Sequence, residues 1–371
     1  MTQATLELDI PPARAADRTG FDIGWDHAHH GLVPPAELLH AGTPVCQGWM
    51  AGRAVFGHRV LATHRATRQW LQLRLLAWRR GIAFEGQQVT PHYLAQIHAA
   101  ICPVLRLPLG GAQADPAAAQ VERLDPDGAY AAGNLAVISR QAALARDGLG
   151  VAEAVRRARR TEAGGEPEAG LEAAAWWRLA ALRSYATPLP FHEAARLPLA
   201  VLPPNRVRLV NAVQGLQALV TLLFAAPGFS ARTRALAALL PEHTLRHDFN
   251  LFVGAMAPRV LEAGPDAQAV RRALEDAWLH ERVQRRWQHF VFSLGEAGVE
   301  ALLAQAQAQA KTKAQATAPR AAPVRTPSHA AGQASEGWAL VPPPRAARRR
   351  TAPQPPATAS RASTLRLHAA K

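Results

Sequence analysis

Residues Val121–Arg146 read VERLDPDGAYAAGNLAVISRQAALAR, and this stretch decides the organisation of the chain. Val121–Asp125 and Leu135–Ser139 each have the length and apolar content of a short strand. Arg140–Arg146 is a run of helix-forming residues. The residues between the strands favour turns, because proline presets φ and glycine and asparagine tolerate positive φ; they are Pro126, Asp127, Gly128, Gly133 and Asn134. The stretch therefore predicts a ββα unit.

This unit resembles the HNH (ββα-metal) endonuclease family. The resemblance is carried by Glu122-Arg123, Asp127-Gly128-Ala129-Tyr130 and Asn134-Leu135, and upstream by Ile101-Cys102-Pro103 and Leu107-Pro108-Leu109. It is confined to Ile101–Arg146. In an active member, an Asp on the first strand and a His or Asn on the helix hold one divalent cation against the scissile phosphate, and a His at the end of the strand takes a proton from water.

The resemblance implies a degenerate site here. Glu122 stands where the metal-binding Asp belongs, and Arg123 stands where the general base would be, although a guanidinium cannot give up its proton. Asn134 matches the Asn that braces the loop. The helix position of the second metal ligand falls at Ala142 or Ala143, which cannot coordinate a metal.

Other residues of the unit could take part in a site. Asp125 and Asp127 are substitute metal ligands beside Glu122, and Mg²⁺ or another divalent cation is the cofactor that the resemblance implies. The candidate structural turn residues are Gly128, Tyr130 and Gly133. A second interpretation of Asp127, Gly128 and Asn134 is that they are only good turn formers.

Charge is concentrated at the C-terminus. The chain has a net charge of +14, and residues 308–371 contribute +10 of it, with eleven Lys or Arg against Glu336 alone. This tail is rich in Ala, Pro, Gln and Arg, so residues 306–371 are predicted to be a disordered basic tail. The candidate nucleic-acid-binding residues are Arg123, Arg140 and Arg146 in the ββα unit and Arg348, Arg349 and Arg350 in the tail. Only three of the 42 basic residues are Lys, which indicates a GC-rich coding sequence and weakens any argument from charge alone.

The N-terminal region, residues 1–64, has few clear elements, of which a short helix at Ala36–His40 after Pro34-Pro35 is one. Residues 1–20 are predicted to be loosely ordered, and Phe21–Val33 is predicted to be a polar loop rich in histidine. Its Asp26, His27, His29 and His30 are of types that ligate divalent metals, which is the alternative to a plain loop. The glycines of Val45–Val60 are interpreted as tight packing or turns.

Helices are predicted for most of the remainder. Residues 65–147 hold a helix at Ala66–Arg80, a helix from Thr90-Pro91 to Ile101, and then the ββα unit. Residues 148–305 begin with a helix at Val151–Arg160, and the flexible acidic joint Thr161–Gly170 is the candidate domain boundary. The bundle after it is predicted from apolar periodicity and Pro/Gly separators, with helices at Leu171–Tyr185, Arg206–Ala226, Ala231–Leu240, His243–Ala263 and Asp266–Leu294.

The fold class that follows is mainly α, with a small HNH-like ββα module, a helical-bundle C-terminal half and a disordered basic tail. No apolar run is long enough for a membrane span, and the N-terminus has no apolar signal core, so a cytoplasmic protein without membrane partners is expected. Cys46 and Cys102 are expected to be reduced thiols.

The predicted function is DNA or RNA binding by a protein whose HNH-like module has weak or no phosphodiesterase activity. Two alternatives stay open. One is a non-enzymatic scaffold that binds a protein partner or itself through the helical half. The other is an active, metal-dependent HNH-type endonuclease, whose missing base would be supplied by His92, His98 or a histidine of the His27–His30 cluster.

Overall fold

The computed structural model describes residues 12–146, 148–226 and 228–317. Within these residues the chain forms thirteen α-helices and one two-stranded antiparallel sheet, which confirms a mainly helical protein with a small sheet. Arg348, Arg349 and Arg350 lie outside the described residues, as does the predicted tail from residue 318 onward. None of the described helices is long and apolar enough to cross a membrane.

The N-terminal region is helical, which corrects the predicted loop. Helix α1 spans Pro12–His29, a short 3-10 turn covers Ala36–Leu38, and helix α2 spans Pro44–Phe56. The buried residues of α1 recur with helical spacing; they are Gly20, Ile23, Gly24, His27 and Ala28. The loop prediction was wrong because it treated His27 as solvated, whereas its Nδ1 lies 2.8 Å from the Ile23 carbonyl oxygen one turn earlier.

Glycines bring α1 and α2 into close contact. A Cβ on Gly24 would overlap the backbone of Val45 and Trp49, and a Cβ on Gly48 would overlap the backbone of Phe21. Gly57, in contrast, has a φ of 55° and ends α2. The glycines of Val45–Val60 therefore have both predicted roles: Gly48 allows tight packing and Gly57 forms a turn.

Helices α3 and α4 span Arg65–Arg79 and Pro91–Gln96. Helix α4 ends five residues before the predicted Ile101. The carbonyl of Gln96, in its last turn, accepts a hydrogen bond from Asn205 Nδ2 at 2.7 Å. Chain segments far apart in sequence thus meet at this helix end, which local propensity does not predict.

The ββα unit consists of strand β1 at Ala119–Arg123, strand β2 at Leu135–Ser139 and helix α5 at Arg140–Ala145. Val121 pairs with Val137 in the antiparallel register. The hydroxyl of Ser139 accepts a hydrogen bond from the Ala142 amide at 3.3 Å and caps α5. The second strand has the predicted bounds, whereas the first begins and ends two residues earlier than predicted because Leu124 and Asp125 belong to the turn.

The C-terminal half is a set of packed helices. They are α6 at Val151–Glu162, α7 at Ala173–Ser184, α8 at Phe191–Arg196, α9 at Ala212–Ala225, α10 at Phe229–Ala237, α11 at His243–Glu262, α12 at Ala267–Ala277 and α13 at Glu281–Thr317, which is broken at Gly295. The predicted helix Asp266–Leu294 is therefore two helices. The predicted tail begins too early, since residues 306–317 continue α13 with helix-forming Ala, Gln and Lys.

The predicted helix Arg206–Ala226 begins only at Ala212. Residues before it are held in a non-helical path by backbone hydrogen bonds to distant elements. The Arg208 amide donates to the Gly133 carbonyl at 2.9 Å, and the Val210 amide donates to the Tyr185 carbonyl at 2.8 Å. Tertiary hydrogen bonds therefore override the helical periodicity there.

One hydrophobic core runs from Cys102 to Leu302 and includes residues of β2, α5 and the helical half. Its centre is aromatic: Trp278, Trp287 and Phe252 are fully buried, with ring centroids 5.1–5.5 Å apart. Described residues on both sides of the acidic joint Thr161–Gly170 contribute to it. Cys46 and Cys102 are buried free thiols.

Candidate functional site at the ββα turn

Asn134 holds the turn between the strands together. Its Oδ1 accepts from the Asp125 amide at 2.8 Å, and its Nδ2 donates to the carbonyls of Asp125 and Ala129 at 3.1 and 3.0 Å. These bonds replace the strand ladder where it ends after Arg123. Through these bonds Asn134 braces the turn.

Arg123 also stabilises the turn through hydrogen bonds to its backbone. Its Nη1 donates to the carbonyls of Gly128, at 2.6 Å, and of Pro126, and its guanidinium lies 5.0 Å from the centre of the Tyr130 ring. Two of its interactions are thus with turn backbone and one with a buried ring. The guanidinium also lines a shallow depression of about 380 Å³ beside Asp127 and Gly128.

Glu122 is paired with Arg146. The Arg146 Nη2 contacts the Glu122 carboxylate, and the Arg146 Nη1 donates to the Arg123 carbonyl at 2.8 Å. The carboxylate at the metal-ligand position of the motif therefore holds a guanidinium, which carries a positive charge of its own.

The other candidate metal ligands do not join Glu122. Asp125 Oδ1 accepts from the Asp127 amide at 3.2 Å, as in an Asx turn. Ala142 and Ala143 on α5 are buried in the core. In the described part of the chain no three or more His, Cys, Asp or Glu side chains are grouped so that they could hold a metal ion. This result covers Asp26, His27, His29 and His30 as well. The donor set does not fit Mg²⁺.

The turn residues have distinct structural roles. Gly133 has a φ of 91° and its amide donates to the Tyr93 hydroxyl at 3.0 Å. Burial raises the pKa of this Tyr93 hydroxyl. A Cβ on Gly128 would lie 2.9 Å from Asn134 Nδ2, so a larger residue would disturb the brace. Tyr130 is buried under Arg123.

Sequence reasoning missed Arg183, a buried arginine at the end of α7. Its side chain is 2% exposed, and neither Nε nor Nη1 has a hydrogen-bond partner among the described residues. Burial lowers its pKa to about 10, and the positive charge of nearby Arg146 adds to the effect, partly offset by Asp125 and Asp127. The sequence contains a signal for this burial, because Arg183 lies in the largely apolar run WWRLAALRS of residues 176–184.

A second missed feature lies on α13. Arg282, Arg285, Arg286 and His289 line a cleft of about 520 Å³. The signal was present in the sequence, because these positions have the i, i+3, i+4, i+7 spacing of one helix face. Of the predicted nucleic-acid residues, Arg140 lies half-buried in the first turn of α5.

Comparison of the chain with family models, with curated proteins and with solved structures found no match. The resemblance to HNH endonucleases therefore rests on the residues of Ile101–Arg146 alone.

Proposed function

We propose that this protein binds nucleic acid and that its ββα unit does not hydrolyse phosphodiesters. The observation that carries the second part of the proposal, the absence of hydrolysis, is the pair between Glu122 and Arg146. It places a fixed guanidinium against the carboxylate that, by resemblance, would bind a catalytic metal. Guanidinium groups bind phosphate well but do not activate water as a metal does.

The neighbouring residues support the absence of hydrolysis. Arg123 occupies the position of the general base, cannot accept a proton, and is hydrogen-bonded to the turn. Arg146 cannot leave Glu122 without exposing a carboxylate and an unpaired carbonyl oxygen. The unit therefore has neither a base nor a set of metal ligands among the described residues.

Nucleic-acid binding is supported by charge. A net charge of +14, carried almost entirely by arginine, favours polyanionic partners, since guanidinium groups make paired hydrogen bonds to phosphate oxygens. Around the ββα turn, the positive charges of Arg123, Arg146 and Arg183 are balanced by the negative charges of three acidic residues, which are Glu122, Asp125 and Asp127. Much of the affinity is therefore expected to come from basic residues elsewhere on the chain.

The test combines two assays on the full chain. Plasmid nicking in Mg²⁺ and in Mn²⁺ is compared with the Glu122→Gln variant, and duplex binding is measured over a salt series. We expect no nicking above the variant's background and a steep loss of affinity as salt rises from about 50 to 200 mM.

The other outcomes decide between the alternatives. Metal-dependent nicking that Glu122→Gln abolishes would show an active endonuclease. Absence of binding to DNA and RNA at low salt would overturn the proposal and favour a scaffold that binds a protein partner or itself through the helical half. In that case sedimentation of the protein alone would test self-association.

A further inference from the structure

The first three turns of α13 have a basic face and an apolar face. Arg282, Arg285, Arg286 and His289, here called the α13 basic stripe, lie on one side. The opposite side is buried in the core through Val283, Trp287, Phe290 and Val291. The helix is thus fixed against the bundle, and its charged face points outward.

Two guanidinium groups of the stripe have no hydrogen-bond or ion-pair partner among the described residues. Arg285 pairs with Glu281 at 2.6 Å, and His289 lies 3.4 Å from Asp248. Within residues 12–146, 148–226 and 228–317, the side chains of Arg282 and Arg286 make no hydrogen bond or ion pair, and both are exposed. Two like charges one turn apart repel each other, so the stripe costs stability unless an anion approaches it.

The dimensions of the stripe match a phosphate backbone. From residue 282 to residue 289 the helix rises about 10 Å at 1.5 Å per residue. Phosphates of one duplex strand follow each other at about 3.4 Å along the axis, so the stripe spans about three of them. A cleft of about 520 Å³ along the stripe leaves room for phosphate oxygens between the side chains.

A membrane surface fits this face less well. Interfacial helices insert an apolar face beneath the lipid headgroups, and the apolar face of α13 is already in the protein core. Phe292, which is 41% exposed, is the large apolar residue beside the stripe, and it packs against Phe191 with ring centroids 6.1 Å apart. Arg196 lies 5.9 Å from the centre of the Phe292 ring and extends the positive charge on that flank.

We propose that the α13 basic stripe is a second nucleic-acid contact surface, which binds the phosphate backbone of a duplex without reading its bases. The inference rests on the proposed nucleic-acid binding and assigns part of that binding to a surface separate from the ββα turn. Arg282 and Arg286 supply the direct phosphate contacts. Arg285 and His289 are held by carboxylates and contribute less.

The test measures duplex binding by the full-length protein through fluorescence anisotropy over a salt series. The variant is Arg282→Gln with Arg286→Gln. The matched control is Arg159→Gln with Arg232→Gln, which removes the same charge from two exposed arginines on α6 and α10. Circular dichroism establishes that both variants fold as the wild type does.

The expected result is a smaller salt dependence in the stripe variant only. Loss of two phosphate contacts lowers the slope of log affinity against log salt by about 1.8. Equal slopes in the stripe variant and its control would overturn the inference while leaving nucleic-acid binding intact. Wild-type protein that binds no duplex at low salt would remove the proposed function as well. Stripe-dependent binding to vesicles of anionic lipid, or to an acidic peptide, without duplex binding would also overturn it.

Discussion

The guanidinium of Arg146 pairs with the carboxylate of Glu122, so that the end of α5 is tied to the end of β1. The two side chains are only 13% and 25% exposed, which limits screening by water. Arg146 also donates to the carbonyl of Arg123 at 2.8 Å. The Arg146 side chain therefore connects α5 to β1 by an ion pair and by a hydrogen bond to the backbone.

A double-mutant cycle measures this pair. Arg146→Met leaves the Glu122 carboxylate without its cation and is expected to lower the free energy of unfolding by about 2 kcal/mol. Combined with Glu122→Gln, the loss should be smaller than the sum, with a coupling of about 1 kcal/mol. Chemical denaturation of the four proteins gives the values. Strictly additive losses would contradict the role assigned to the pair.

Asn134 is expected to be the most sensitive residue of the turn. Asn134→Ala removes three hydrogen bonds and leaves the Asp125 amide without its acceptor, which should cost about 2–3 kcal/mol. Asn134→Asp keeps the acceptor for that amide but loses the Nδ2 donor, so its loss should be intermediate in thermal or urea unfolding. A neutral effect of Asn134→Ala would show that the turn holds without the brace.

The buried Arg183 is expected to destabilise the folded protein. Arg183→Met should raise the free energy of unfolding by about 1 kcal/mol, because a buried guanidinium beside Arg146 is replaced by an apolar side chain of similar length. Arg178 on the same helix is the matched control, since it donates to the Val104 carbonyl at 3.1 Å and pairs with Asp276. Arg178→Met should therefore destabilise, and a destabilising Arg183→Met would show that Arg183 has a partner.

The contact between α1 and α2 depends on glycine. Gly48→Ala places a Cβ against the backbone of Phe21 and should cost about 1–3 kcal/mol as the helices move apart. Gly254→Ala, at an exposed position of α11 with open space around it, should instead stabilise by about 0.5–1 kcal/mol. Thermal unfolding of both variants separates the steric effect from helix propensity.

Stability is expected to fall on acidification because of His27. Burial lowers its pKa, so the unfolded chain takes up a proton that the folded chain does not. Stability attributable to His27 therefore decreases as pH falls below the ordinary value of 6.5. Burial and the charge of His29 lower the pKa of His30 in the same direction. In His27→Leu the dependence of the unfolding free energy on pH should flatten, and an unchanged dependence would contradict this cause.

Local sequence signals located most of the secondary structure. The turn formers around Gly128 and Gly133 predicted that two strands flank the turn, although β1 lies two residues earlier than predicted. The predicted bounds of β2 agree with the structure because its apolar run ends at the helix-capping Ser139. Pro and Gly separators located most helices of the C-terminal half. The signal failed at α1, where a buried histidine was counted as polar, and at Arg206–Val210, where backbone bonds to Gly133 and Tyr185 prevent a helix.

By itself, the sequence determined the ββα unit, the helical half and the residue types present at each motif position. Only the tertiary structure decided what those residues do. Glu122 and Arg146 are 24 positions apart, and their pairing follows from α5 packing beside β1. Arg183 of α7 interacts electrostatically with charged residues of the same turn. Periodicity and turn chemistry act over a few residues, whereas the partner of a charged side chain is set by which elements share a core.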